Sequence, residues 1–191
     1  GGVVGGSIIE GVLNIDSKIT IIPGLMVANK DDSTLFSYKP ITSTVKEIFT
    51  EKTKLDCGKP GGLIGIKLTV DPSLTLQDKL IGNLLIEGSV DKYKIYEIFT
   101  IEYKLIKLSS TKHKIHVGDV FIINCNAKNT RCEVLKKEKH RIQLKVLSGP
   151  ICTEIGGKVA ISKKSGSSGA HLIGVGYIQD DSENKESKRL I

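Results

Sequence analysis

The sequence has no apolar run near the 18 or more residues that a membrane-crossing helix requires, and its apolar fraction is a modest 39%. The opening Gly1-Gly2-Val3-Val4-Gly5-Gly6 lacks the basic start and apolar core of a secretory signal. Both absences point to the cytoplasm and away from a membrane. The four cysteines, Cys57, Cys125, Cys132 and Cys152, form no C-x-x-C pair and no evenly spaced framework. A zinc site needs two close ligand pairs, and only Cys125 and Cys132 stand even loosely together. His113 and His116 have the i, i+3 spacing that chelates from a helix, but Lys112, Lys114 and the turn at Gly118-Asp119 make that stretch read as a surface loop. Reduced thiols and no metal are the expectation.

Catalytic groupings are also lacking. No G-x-x-x-x-G-K-[ST] follows the glycines at 1, 2, 5, 6 and 11. Asn29-Lys30-Asp31-Asp32 fits the N-K-x-D pattern that reads guanine, but that pattern works only at a strand end in an α/β nucleotide domain. Followed by Ser33-Thr34, it has the composition of a polar hairpin turn. Four scattered histidines and four scattered cysteines support no nucleophile–base pair. The chain is expected not to be an enzyme by itself.

Charge is present, and unevenly. Residues 1–90 carry 9 lysines against 10 acids, whereas residues 91–191 carry 19 Lys and Arg against 11 acids, within a total of +7. An excess of that sign raises the potential toward a phosphate backbone. Sixteen of those 19 are Lys, which suits a solvated face as well as it suits RNA. Charge alone leaves both readings open.

The dominant period is two. Phe99, Ile101, Tyr103 and Leu105 alternate with Thr100, Glu102 and Lys104, and Ile142, Leu144 and Val146 alternate with Gln143 and Lys145. Val159 and Ile161 repeat the pattern, and further strands are expected at 3–9, 18–23, 41–50, 63–70, 81–86, 120–125, 132–135 and 172–178. Turn signals separate them at Pro23-Gly24, 29–33, Gly58–Gly62, Gly118-Asp119, Ser148-Gly149-Pro150 and Gly156-Gly157. Many short strands between Gly and Pro turns predict an all-β chain of barrels or sandwiches. Only 73–80, opened by Asp71-Pro72, reads as a short helix. The polar stretch Gly88–Lys92, where the charge balance also changes, sets the expected boundary between a domain at 1–88 and one at 93–179. Residues 165–169 read as a flexible loop, and 180–191 as a frayed polar tail.

The glycines carry the most specific signal. Gly2-Val3-Val4-Gly5-Gly6-Ser7-Ile8-Ile9-Glu10-Gly11-Val12-Leu13 mixes glycine with β-branched residues, and strand glycines mark bulges or close approach of a ligand or backbone. The run resembles the second-domain hairpin of translational GTPases such as elongation factor Tu. Four blocks are similar, more narrowly, to the gamma subunit of translation initiation factor two: 1–13, 59–82 (KPGGLIGIKLTVDPSLTLQDKLIG), 97–105 (EIFTIEYKL), and 149–164 with 171–178. The likeness is colinear and covers nearly the whole chain, except 106–131 and the tail.

That resemblance implies two consecutive elongation-factor-Tu-like β-barrels, the first lacking the strand that would precede Gly1. It implies a part of a subunit that delivers initiator methionyl-tRNA to the small ribosomal subunit in a GTP-dependent way. GTP and Mg would belong to a nucleotide domain outside this chain, with no cofactor held here. The alpha subunit would dock on the first barrel and the beta subunit mainly on that other domain. Carried over strand by strand, the pocket for the tRNA 3′ end would comprise Gly2, Val3, Val4 and Gly5; Glu47 and Phe49; and Gly61, Gly62, Leu63 and Gly65. Glycines would admit the nucleotide, apolar residues would stack its base, and Glu47 would accept from the terminal ribose hydroxyl. Lys163 and Lys164, with His171, stand where the family has an Arg-Arg and a basic loop, and are the candidate RNA-facing cations. Asp16 stands where the family usually has glycine, and Asp tolerates the left-handed region. Two other readings stay open: a scaffold that docks the alpha subunit with little RNA contact, and the barrels of another translational GTPase such as the selenocysteine-specific elongation factor.

Overall fold

The computed structural model describes residues 1–28, 36–106, 114–164 and 169–189. Asn29–Asp32, His113 and residues 165–168, singled out above, lie outside them. Among the described residues the regular structure is almost entirely strand, and the chain divides into two compact units, Gly1–Leu25 with Lys39–Val90, and Met26–Tyr38 with Asp91–Leu190.

The first unit is built from β1 (Val3–Ser7), β2 (Leu13–Asn14), most of β3 (Lys18–Ala28) and of β4 (Phe36–Thr50), whose ends after Leu25 and before Lys39 belong to the second unit, β5 (Thr53–Leu55), β6 (Cys57–Gly58), β7 (Leu63–Leu68) and β8 (Leu84–Ile86). Its sheet runs in the order β1-β7-β4-β3-β8, curled halfway round a barrel, with β5 paired on β4. The alternation seen in sequence becomes a core of Ile19, Ile21, Val45, Ile48, Ile64, Ile66, Leu68 and Val70. Pro23-Gly24 does not end a strand: β3 continues through it to Ala28. Gly24 has φ +83, a side chain there would strike the Lys39 carbonyl, and its N–H donates to Asn83 Oδ1 at 2.8 Å. Pro-Gly is therefore an irregularity inside the strand, forced by close approach of β4.

The expected helix at 73–80 is also corrected. One 3₁₀ turn spans Pro72–Leu74, with the Asp71 carboxylate accepting from Ser73 N at 2.8 Å. Gln77 and Asp78 then have φ 55 and 57, values that no right-handed helix tolerates.

The second unit contains β9 (Lys94–Leu105), β10 (Val120–Cys125), β11 (Lys128–Lys137), β12 (Arg141–Ser148), β13 (Ile151–Thr153), β14 (Lys158–Lys164), β15 (Ala170–Ile178), β16 (Lys185–Glu186) and β17 (Lys188–Arg189). The order β12-β11-β10-β14-β15-β9 closes through the β12–β9 pairing into a six-stranded barrel. Phe99, Phe121, Ile101, Ile123, Ile142, Leu144, Val159 and Ile161 fill it. Closure removes the sheet edges that an open sheet leaves exposed.

The tail expected to fray is laid against this barrel. Lys185 and Glu186 pair with Ile98 and Tyr96 of β9, and Lys188 and Arg189 run parallel to Ser37 and Tyr38 in the end of β4 that belongs to this unit. Its polar side chains make the attachment. Asn184 accepts from Thr100 N and donates to the Gln179 carbonyl, each at 2.9 Å, and Ser187 donates to Glu97 at 3.0 Å. Polar composition signalled hydrogen bonding here rather than disorder. Burial pushes the Tyr96 hydroxyl up to about 12, with nearby Glu186 and Asp180 adding to it. Tyr38 is raised to about 12 by burial and then by Glu97.

Candidate nucleic-acid interface

Three adjacent strands assemble most of the residues that the glycine-rich blocks pointed to. In β1 and β7, Val3 faces Lys67, Gly5 faces Gly65 and Ser7 faces Leu63. In β4 and β7, Glu47 faces Lys67 and Phe49 faces Gly65, while Phe49 also faces Lys54 of β5. Residues directly opposite one another share a face of the sheet. Two rows result on the outer face: Gly5–Gly65–Phe49–Lys54, and two residues along, Val3–Lys67–Glu47.

A bulge sets the second row. Register shifts between Val45 and Glu47, so that Val45 and Ile48 both enter the core while Lys46 and Glu47 face outward. Without the extra residue, strict alternation from Val45 would place Glu47 with the core side chains.

The outer face is unusually bare. A Cβ built on Gly65 meets nothing within 4 Å, and one on Gly5 meets only the Ile64 carbonyl at 3.8 Å. Sheet packing therefore does not require glycine at either position. The two glycines floor an open depression of about 450 Å³ lined by Gly5, Thr50, Glu51, Leu63, Ile64 and Gly65. Leu63 is 73% exposed and Val3 58% exposed, so apolar surface flanks the shelf.

Glu47 is the half-buried acid of this face. Its two carboxylate oxygens lie 2.6 Å from Lys67 Nζ and 3.2 Å from Lys54 Nζ. The hydrogen bond from Lys67, followed by that from Lys54, holds its carboxyl below the usual range, so it is ionised at neutral pH. An oxygen pair held in this way is an acceptor only, matched to a hydroxyl donor.

Not every predicted residue joins this face. Gly2 and Val4 turn inward: a side chain on Gly2 would collide with Thr75, and Val4 packs against the core. Gly61, at φ 141, and Gly62 lie in the turn before β7, where added Cβ atoms meet open space. Asp16, the departure from glycine, does adopt φ 65, and Lys46 pairs with it at 2.9 Å. Lys67 and Lys54 were not foreseen; counting two residues on from Gly65 along the strand would have found the first.

In the second unit, Lys163 pairs with His171 and Lys164 with Ala170 across β14 and β15. Lys163 Nζ lies 3.7 Å from Asp119 and over the Phe121 ring at 5.5 Å, which leaves it half-covered, while Lys164 and His171 are exposed. Cys125, Cys132 and Cys152 are buried free thiols and Cys57 is half-buried. Burial pushes Cys125 up to about 11 and Cys132 further still, far from reactive thiolates. Among the described residues, no three of His, Cys, Asp and Glu gather as a metal set, and no helix is long and apolar enough to cross a membrane.

The model of the family "Initiation factor eIF2 gamma, C terminal" matches residues 97–178, which is β9 through β15. Over 177 residues, 86% of this chain, the sequence is 36% identical to "Eukaryotic translation initiation factor 2 subunit gamma" of Schizosaccharomyces pombe. The chain belongs to the initiation factor two gamma family. "Eukaryotic translation initiation factor 2 subunit 3" of Drosophila melanogaster is 33% identical over 178 residues, again 86% of this chain. The alignments cover 38% and 36% of those relatives, so the chain spans less than two-fifths of their length. At that coverage they extend into the first unit, which the family model does not reach.

Proposed function

We propose that this chain is the tRNA- and subunit-binding portion of an initiation factor two gamma subunit, with the 3′-terminal nucleotide of initiator methionyl-tRNA seated on the outer face of β1, β7 and β4. The observation that carries this reading is the pair Gly5 and Gly65, which no packing constraint explains, set between Phe49 and exposed Leu63 with ionised Glu47 in the next row. Backbone without side chains lets a nucleotide lie flat, Leu63 and Phe49 supply apolar contact, and a carboxylate accepts from the terminal ribose hydroxyl. The chemistry is binding. Delivery to the small ribosomal subunit and GTP dependence would belong to the assembled factor, with the alpha subunit on the first unit and the beta subunit on a nucleotide domain that holds GTP and Mg.

A substitution on the glycine shelf tests this. Gly65→Val places a β-favouring side chain in open space, so the fold should persist while affinity for methionyl-tRNA drops about tenfold or more. Equal affinity in a folded variant overturns the assignment.

A second reading is favoured by Ile9, 79% exposed in the loop after β1: a scaffold that docks the alpha subunit and contacts RNA little. Binding to an alpha-subunit fragment that is insensitive to salt, without tRNA binding, supports the scaffold. Affinity for tRNA that falls steeply with salt supports the first reading.

A further inference from the structure

We propose that Lys67, one of two lysines held on Glu47, receives the phosphodiester that precedes the terminal nucleoside on the glycine shelf, while Lys54 keeps Glu47 aimed. The inference rests on the nucleotide-binding reading above and adds the group that fixes the ligand's direction.

Charge around Glu47 is unbalanced. Two ammonium groups lie on one carboxylate, at 2.6 and 3.2 Å, so the cluster carries a net positive charge that Glu47 leaves uncancelled. Both lysines stay accessible, with side chains 44% and 59% exposed. An ammonium has three donors, and Glu47 occupies one of each.

Position supplies the second step. Lys67 lies two residues along β7 from Gly65, about 7 Å, on the same face. That offset is within the span of one nucleotide. In the opposite direction, beyond Gly5 and Gly65, the depression is lined by Glu51 and Leu63. A phosphate is therefore repelled from the Glu51 end and attracted to the Lys67 end. The base then lies toward Leu63, and the sugar lies over the Gly65–Phe49 row with its hydroxyls within reach of Glu47.

The rearrangement needs no buried charge and no backbone movement. Lys67 leaves or shares its hydrogen bond to Glu47 when the phosphate arrives, and Lys54 keeps Glu47 ionised and aimed. One lysine thus serves as a ligand contact, and the other chiefly positions the acid.

The test uses the whole chain and three small probes: the dinucleotide CpA, adenosine without phosphate, and CpA with a 2′-deoxy terminal sugar. Binding is followed by the amide resonances of Gly5 and Gly65. CpA is expected to bind about tenfold tighter than adenosine. Lys67→Met is expected to erase that gap and to lessen the salt dependence of CpA binding by about one unit of log–log slope, and Lys67→Arg to restore both. Lys54→Met should narrow instead the preference for CpA over its 2′-deoxy form, as should Glu47→Gln. If CpA and adenosine bind equally, or Lys67→Met leaves the gap intact, the phosphate contact is wrong while the nucleotide site stands. If no probe shifts Gly5 or Gly65, the nucleotide-binding reading itself is wrong.

Discussion

A methyl group added at Gly174 would sit 2.7 Å from the Lys104 carbonyl oxygen, and one added at Gly176 would sit 2.8 Å from Ile101 Cδ1, whereas one added at Gly65 would meet nothing within 4 Å. The first two glycines are in β15 of the closed barrel, where the β9 backbone at Lys104 bars a side chain at Gly174 and the Ile101 side chain crowds one at Gly176. The third is in β7 of the curled sheet, where packing within the chain does not call for glycine. The same contrast runs through the cores. Among the described residues, sixteen buried side chains form the cluster of the second unit and eight form that of the first. The barrel holds itself together with closed pairing and dense apolar packing, and the sheet combines a smaller core with an outer face left bare.

The largest effect should come from the barrel core. Phe99, fully buried and 6.0 Å from the Tyr96 ring, should cost about 3–5 kcal/mol when replaced by Ala. In a denaturant titration followed by probes in each unit, Phe99→Ala should move the barrel's transition and leave that of the first sheet nearly unmoved. A common shift in both transitions would mean that the two units unfold together.

Gly174→Ala comes next, at about 1–3 kcal/mol from overpacking against the Lys104 backbone. Gly65→Ala should change stability by less than about 1 kcal/mol, in the stabilising direction. Thermal melts of the two variants side by side would sharpen the distinction between packing glycines and vacant ones; equal losses would erase it.

A more local effect is expected at the tail. Asn184→Ala leaves Thr100 N without its acceptor, at about 1–3 kcal/mol, and should speed amide exchange at Thr100 and Ser187 before it alters the rest of the barrel. Alkaline pH should separate the units most gently. All five tyrosines fall in the second unit, at 38, 93, 96, 103 and 177. Tyr96 and Tyr38 keep their protons in the fold up to about 12, against 10 when unfolded. Their contribution is complete below pH 10 and is lost as pH rises from 10 to 12, so fluorescence of the second unit should report destabilisation over that window while the first unit is unaffected by this cause.

The strands were legible because their apolar residues alternate: 120–125 matches β10 at both ends, and 142–146 and 159–161 lie inside β12 and β14. Parity was not legible at the N-terminus. Gly-Gly-Val-Val-Gly-Gly offers the same residue types to either face, so nothing in the sequence assigns Gly2 and Val4 inward and Val3 and Gly5 outward. The bulge at Lys46, which aims Glu47, leaves no compositional trace. Residues 73–80 began as expected, with Pro at the first position, but the left-handed Gln77 and Asp78 are set by the chain's path rather than by their propensities. The tail was misread because Asn184 and Ser187 look alike in sequence whether they bond to water or to β9.

The bare face of β1, β7 and β4 is proposed to take the end of an RNA chain. The direct measurement is a backbone amide titration of the chain with an RNA hairpin ending in CCA. Shifts concentrated at Gly5, Phe49, Gly65 and Lys67 are predicted, and they should vanish when the terminal adenosine is removed. Shifts confined to Lys164, His171 and their neighbours, or unchanged on removing that nucleotide, would contradict it.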